Sequence, residues 1–227
     1  SVARCEADTR KLAELMVGRD IDLSPRRSRG EAKETLLSLS NVGLTKDGVD
    51  RIAQVSFDVR AGEIVGVAGV SGNGQRELAE IVAGLIAPTS GEVSINGERV
   101  NGVGTRNVRK AGLAYVPEDR LGTGLAPSLS IVDNLVLTRD RGFLVDRKSA
   151  HAEAEAFIKQ LEIKTPSALT PTRKLSGGNS QKVLLAREIF AAGNNSRVLV
   201  VCSPTRGLDV GAVEAVHKLL DEARSAG

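Results

Sequence analysis

Two glycine-rich stretches carry residue types suited to holding phosphate. Gly69-Val-Ser-Gly-Asn-Gly74-Gln75-Arg76 follows the apolar run EIVGV and precedes ELAEIVAG, which is the strand, glycine loop and helix order of a phosphate loop. Glycines at 69, 72 and 74 let the backbone curl so that several N–H groups and a helix N-terminus point at one anion. With Asn73, Gln75, Arg76 and Glu77 they form the candidate nucleotide-binding set. The motif's Lys, which reaches the β and γ phosphates, is replaced by Gln75, and its Mg²⁺-holding hydroxyl by Arg76. An arginine fork adds positive charge but does not stand in for a metal-coordinating hydroxyl, so phosphate cradling is expected to survive better than hydrolysis. Taken alone, this segment also fits a glycine-rich turn of an ordinary α/β domain.

The second stretch, Lys174-Leu-Ser176-Gly177-Gly178-Asn-Ser-Gln-Lys182, precedes the apolar helix VLLAREIFAA, so Ser176 and the two glycines sit at a helix start, where anions are favoured. A lone Ser-Gly-Gly at a helix start is more often a cap. Order is more telling: this one follows the phosphate loop by about a hundred residues and precedes another apolar run, RVLVV, which ends in Cys202-Ser203-Pro204. Cys202 has no neighbouring His and reads as a buried cysteine rather than a nucleophile. Two carboxylates complete the candidates. Glu118 lies in Tyr115-Val-Pro-Glu118-Asp119-Arg120, for which a surface turn with an Asp119–Arg120 charge pair is the plain reading, and Asp209 stands where it caps the next helix. His151 opens a charged helix and reads as solvent-facing.

The elements that must position these groups are legible from pattern. A short helix over Thr9 to Arg19 and a linker over Asp20 to Glu34, rich in Arg, Ser, Pro and Gly, precede strand signals that begin near residue 35. TLLSLSNVGL and IAQVSFDV read as strands, EIVGVAG as a buried strand, and Asn96-Gly97 as a hairpin turn. Between Gly122 and Pro171 the periodicity is helical, with Ser130 three residues ahead of Asp133 as a start and AHAEAEAFIKQLEI as a long amphipathic helix. A helix from about Gly178 to Ala191, the strand RVLVV and a helix over Val210 to Ala226 complete the series. Strands flanking an inserted helical block predict a layered α/β domain with a helical subdomain.

Composition narrows the function. At 227 residues, with 41% hydrophobic and 26% charged, the chain suits one full domain plus some extra chain. A net charge of +3 and 2% aromatics argue against nucleic-acid binding and base stacking. No apolar run approaches the ~20 residues of a membrane span, so a membrane role would come through a partner. Cys5 and Cys202 lack zinc spacing and suit a reducing cytosol. The start at Ser1 and the stop at Gly227 read as cuts within a longer protein.

These motifs in this order resemble the ATP-binding-cassette (ABC) ATPases, whose LSGGQ-like signature reaches across a head-to-tail dimer to the γ-phosphate on the other domain. Here the signature is LSGGN. Through GLAYVPEDR (112–120), LSGGNSQK (175–182) and SPTRGLDVGA (203–212) the chain is most similar to the second cassette of tandem ATPases of simple-sugar and nucleoside importers, over essentially everything from residue 35. LAELMVGR (12–19) resembles the tail of the first cassette. The resemblance implies a P-loop ABC ATPase fold with a mixed β-sheet core (35–120 and 193–227), an inserted helical subdomain (about 121–192) and a truncated C-terminus. It implies that Cys202 and Ser203 occupy the places of the magnesium-binding Asp and the general-base Glu. Glu118 matches a coupling loop toward the transmembrane partner and Asp209 the loop crossing between cassettes. The switch-loop histidine belongs beyond Gly227 and is not His217. Adenine stacking has only Phe57 to draw on, whose alternation suggests core.

The expected function is therefore the ATP-binding component of a nucleoside or simple-sugar importer at the cytoplasmic face of the membrane. Its partners would be a first cassette, permease subunits and, indirectly, a substrate-binding protein. ATP would be bound weakly here, with Mg²⁺ confined to the first-cassette site, to which this chain donates Ser176, Gly177 and Gly178. One rival is a self-sufficient ATPase that uses Arg76 with Glu77 or Glu118 as clamp and base. Another is a non-transport ABC scaffold, which would be expected to carry coiled-coil heptads or a basic insertion; neither is seen.

Overall fold

The computed structural model describes residues 33–139, 146–191 and 196–226; the expected helix within 1–19 and most of the linker lie outside them. Strand β1 (Thr35–Lys46) turns through Asp47 (φ 53°) and Gly48 (φ 74°) into β2 (Val49–Arg60). Two consecutive positive-φ residues are what a two-residue hairpin loop needs to match the strand twist. Along β2, Val55, Phe57 and Val59 pack against the core while Ser56, Asp58 and Arg60 face out, so Phe57 serves the core as expected. Strand β3 (Ser90–Ile95) pairs antiparallel with β1 and turns through Asn96 (φ 51°) and Gly97 (φ 79°) into β4 (Glu98–Arg99). The sheet order is β2-β1-β3-β4.

Helix α1 (Gln75–Val82) buries Leu78, Ile81 and Val82, and α2 (Thr105–Lys110) buries Val108, both in the core of the antiparallel sheet. Strand β5 (Leu113–Val116) pairs in parallel with β6 (Val198–Val201). The inserted helices lie in sequence between these two strands: a π-helical turn (Arg120–Gly124), α3 (Ile131–Val136), α4 (Arg147–Gln160) and α5 (Gly177–Ala186). A second π-turn (Arg187–Ala191) extends α5, and α6 (Val210–Ala226) follows β6. Val183, Leu184 and Leu185 are fully buried, which makes α5 the centre of a second core shared with α3, α4, Val116 and α6. The expected helical subdomain therefore does not close on itself; Val216 and Leu219 of α6 belong to the same core.

Glu188 ties the two cores together. Its carboxylate is fully buried and accepts from Arg187 Nε at 2.8 Å and from Arg109 Nη2 of α2 at 3.0 Å. Two guanidinium partners supply the compensation that a carboxylate requires on leaving water.

One expected strand is not formed. Residues 63–70, read as a buried strand, pair with no strand among the described residues, and Ile64 is 63% and Val70 74% exposed. A strand needs a partner edge for its N–H and C=O groups and a covered face for its side chains; here an open groove adjoins it instead, so the apolar composition alone does not bury it.

Candidate functional site

The phosphate loop leads into α1 through Gly74, whose φ of 91° is left-handed and whose Cβ, were there one, would stand 2.6 Å from the Arg51 carbonyl oxygen. Only glycine fits there. Gly72 (φ 92°) gives a second left-handed turn, and Asn73 N–H donates to the Val70 carbonyl at 3.2 Å. Gln75 folds back over the loop: its Nε2 donates to the Val70 carbonyl at 3.3 Å and lies where a Gly69 side chain would project. Arg76 turns along the helix to Glu80, Nε to Oε1 at 2.8 Å, and that hydrogen bond raises its pKa. Glu77 is in the first turn of α1, favourable for the helix dipole.

Beside the loop, Cys202 follows the end of β6, and its N–H donates to the Val116 carbonyl at 2.9 Å. The free thiol is half-buried against Tyr115. Burial pushes the thiol pKa up, the Tyr115 hydrogen bond pulls it partly back, and the carboxylates of Glu118 and Glu80 raise it further. Burial also pushes Tyr115 upward, with Cys202 adding to the rise. Both groups are therefore neutral near pH 7. Ser203, at φ 46°, opens a turn closed by Arg206 N–H to its carbonyl at 3.1 Å.

The donor set around the phosphate loop is thus a carboxamide, a paired guanidinium and a neutral thiol. Among the described residues no cluster of His, Cys, Asp and Glu has the geometry to hold a metal. Hard-oxygen coordination of Mg²⁺ calls for carboxylate or hydroxyl ligands, so Arg76 and Cys202 do not fit that ion and Ser203 offers a single hydroxyl, whereas the left-handed glycine turns do fit a phosphate.

Glu118 makes an ion pair with Arg206, which brings the loop after β5 against the turn after β6. Asp119 does not pair with Arg120. Its Oδ1 accepts from Leu121 N at 3.2 Å and Gly122 N at 2.9 Å, capping the π-turn, because a carboxylate at the head of a turn finds backbone donors closer than its neighbour's side chain. Arg120 instead reaches the helix that begins with the signature: its Nη1 donates to the Gly177 carbonyl at 3.3 Å. Asp209 caps α6, accepting from Ala212 N at 2.9 Å, as expected.

Ser176 is the N-cap of α5, accepting from Asn179 N at 3.4 Å and from Asn179 Nδ2 at 2.9 Å. Asn179 also accepts from Lys164 N–H at 3.0 Å, so the residue at the signature's fifth place braces the turn. Ser176 and Gly177 are exposed, and a Cβ on Gly178 would press to 2.9 Å of Ala212 Cβ, which sets how closely α6 packs.

One open groove of about 2540 Å³ is lined by Gly69, Gly72, Gln75, Arg76, Glu118, Cys202 and Ser203, together with Arg120, Arg206 and Gly207; Ser176, Gly177 and Gly178 are not among its lining residues. The structure therefore brings Gly69, Gly72, Gln75 and Arg76 together with Cys202 and Ser203, while Ser176, Gly177 and Gly178 do not line the groove. His217 is exposed on α6 and His151 half-buried on α4. The partners of Arg120, Arg206 and Tyr115 are 57, 88 and 87 residues away, and no local pattern in the sequence marks these pairings; the local reading gave Arg120 to Asp119 instead.

A model described as ABC transporter matches residues 52–206. The guanosine import ATP-binding protein NupO of Bacillus subtilis is 36% identical over 225 residues, which cover 96% of this chain and 43% of that protein. The ribose import ATP-binding protein RbsA 1 of Rubrobacter xylanophilus is 41% identical over 233 residues, covering 100% of this chain and 45% of that protein. The chain thus spans less than half the length of these relatives. A dimeric, post-hydrolysis structure of the ATP-binding cassette MJ0796 bound to ADP and Pi superposes with a TM-score of 0.71 at 26% identity, over 84% of each chain.

Proposed function

The chain belongs to the ABC transporter family, and from that premise we propose that it is the second cassette of a tandem importer ATPase for nucleosides or simple sugars. In this reading residues 1–19 close a first cassette, 20–34 are the linker and 35–227 the second cassette. The import proteins named above are more than twice as long as the stretch matched here, which leaves room in each for another unit of this size. Their names, guanosine and ribose import, are the basis for the substrate class.

The observation that supports the reading is the exposure of the signature turn at the start of α5. Ser176 and Gly177 are exposed and do not themselves line the groove, although Arg120 and Gly207 of its lining adjoin Gly177, so the turn is open to a nucleotide held by another cassette. A helix N-terminus with a serine hydroxyl and two side-chain-free residues suits a phosphate arriving from outside. The groove itself lacks the electrostatics of phosphoryl transfer: Gln75 and Arg76 replace the Lys and the hydroxyl, and Cys202 and Ser203 bring no carboxylate. Bound nucleotide would supply the phosphoanhydride, and this chain's own part is to orient and to signal. In this reading Glu118 and its loop meet the permease, and the protein sits at the cytoplasmic face of the membrane through that partner. A self-sufficient ATPase using Arg76 with Glu77 or Glu118 is disfavoured because Arg76 is paired with Glu80 and Glu118 with Arg206, and Glu77 would have to act as base without them.

Two measurements test this. Calorimetry and phosphate release with the chain alone should give no Mg²⁺-dependent tight binding and no steady turnover. In the full-length protein Ser176→Ala should lower turnover by about a hundredfold, the scale of a lost transition-state donor. Tight Mg²⁺-dependent binding with steady release by this chain alone would overturn the reading.

A further inference from the structure

We propose that the phosphate loop of this chain takes the phosphates of a nucleotide without magnesium, Arg76 supplying the positive charge that the metal would otherwise bring. This rests on the reading of the groove as one that binds nucleotide without turning it over, and it names the form of ligand that the groove accepts.

The loop's backbone is set for an anion. Gly72 and Gly74 are left-handed, at φ 92° and 91°, and no side chain caps α1 at Gly74. The leading N–H groups of a helix have no partner within it, so those of Gln75, Arg76 and Glu77 are left to whatever meets its start. A helix start contributes only about half a positive charge, less than a polyphosphate needs. In phosphoryl-transfer sites a metal ion covers the difference. Here the residues work against one. Arg76 and the Cys202 thiol are no ligands for a hard cation, and Ser203 offers a single hydroxyl. Glu80 and Glu118, which share the groove lining with them, are paired with Arg76 and Arg206, so a cation approaching either carboxylate meets a guanidinium beside it.

Arg76 is placed to act instead. It stands in the first turn of α1 with its side chain 75% exposed, and it lines the groove with the loop. Glu80 holds it through Nε at 2.8 Å, which fixes one edge of the guanidinium and leaves both Nη groups as donors. A planar fork bonds two phosphate oxygens at once, as a lysine does not, and can do so without releasing Glu80. Magnesium on the nucleotide would occupy the oxygens that Arg76 bonds and bring a second cation against the first. Metal-free nucleotide is therefore the better ligand.

Titration calorimetry of the 227-residue chain with ADP and with ATP, in EDTA and in millimolar Mg²⁺, tests this, with phosphate release followed alongside. Binding in EDTA is expected to be as tight as in Mg²⁺ or tighter, without release. Arg76→Ala should weaken binding in EDTA by about tenfold and binding in Mg²⁺ by less than about threefold, with the melting temperature unchanged. A merely structural arginine would weaken both alike. Should Arg76→Ala fail to fold, Arg76→Gln carries the same expectation. Equal effects in the two buffers, no effect in either, or no binding by the unaltered chain at millimolar nucleotide overturns the proposal. Mg²⁺ that tightens binding by more than about threefold without phosphate release overturns the metal-free inference alone; with steady release it overturns the reading beneath it as well.

Discussion

At the scale of single residues, the polar groups beside the phosphate loop are held by their immediate neighbours. The surroundings of Cys202 suppress its charge: burial raises the thiol pKa, and Glu118 and Glu80 add to the rise. Such a thiol reacts slowly because thiolate is the nucleophile. In a Cys5→Ser background, alkylation of Cys202 by iodoacetamide at pH 8 is expected to run slower than that of a free cysteine. The Tyr115 hydrogen bond is the one influence that lowers this pKa, so Tyr115→Phe should slow the reaction further; a faster rate would show that the phenol merely shields the sulfur. Gln75 is held likewise, its amide returning to the loop's own Val70 carbonyl where a lysine would extend toward phosphate.

At the scale of elements, short polar caps set where the inserted helices begin. Ser130 Oγ accepts from Asp133 N at 3.1 Å and donates to Asp133 Oδ2 at 2.6 Å, while Arg147 Nη1 of α4 reaches Asp133 Oδ1 at 3.2 Å. The Ser130 hydrogen bond, more than Arg147, holds the Asp133 carboxyl below its ordinary pKa. A carboxylate depressed in the folded state contributes stability above its unfolded pKa and loses it as pH falls through the folded value. Resistance to urea should therefore fall below about pH 4, and Asp133→Asn should flatten that acid limb. Ser130→Ala should cost about 1 kcal/mol at pH 7. An unchanged acid limb in Asp133→Asn would assign the pH dependence elsewhere. Close by, fully buried Asn134 spans the 126–130 loop, accepting from Ala126 N at 2.8 Å and donating to the Ser130 carbonyl at 2.9 Å, which explains a polar side chain at a core position of α3.

Across the described residues, the Glu188 cluster joins two cores, and an open groove adjoins segment 63–70. Glu188→Ala leaves Arg187, 6% exposed, without its carboxylate, and is expected to cost about 3–5 kcal/mol in urea unfolding. The groove predicts the reverse. Val67 and Val70 are 56% and 74% exposed, so Val67→Ser and Val70→Ser should each change stability by less than about 0.5 kcal/mol while reducing binding of a hydrophobic dye. A large loss from either valine would mean that segment 63–70 is covered in solution.

What the residues determined by themselves is local. Asn96-Gly97, Ser130 ahead of Asp133, Asp209 ahead of α6 and the glycines at 69, 72 and 74 act within a few residues of chain, and backbone geometry there follows from residue type. The amphipathic helices and alternating strands were legible for the same reason. Tertiary structure alone decided that Asp119 caps a turn while Arg120 crosses to Gly177, that Glu118 meets Arg206, and that Glu188 gathers two arginines. It also decided that EIVGVAG stays unpaired, although its composition is that of a buried strand. Charge pairing and burial depend on which surfaces meet and on whether a neighbouring edge is present, and neither is encoded in the spacing of residues along a single segment.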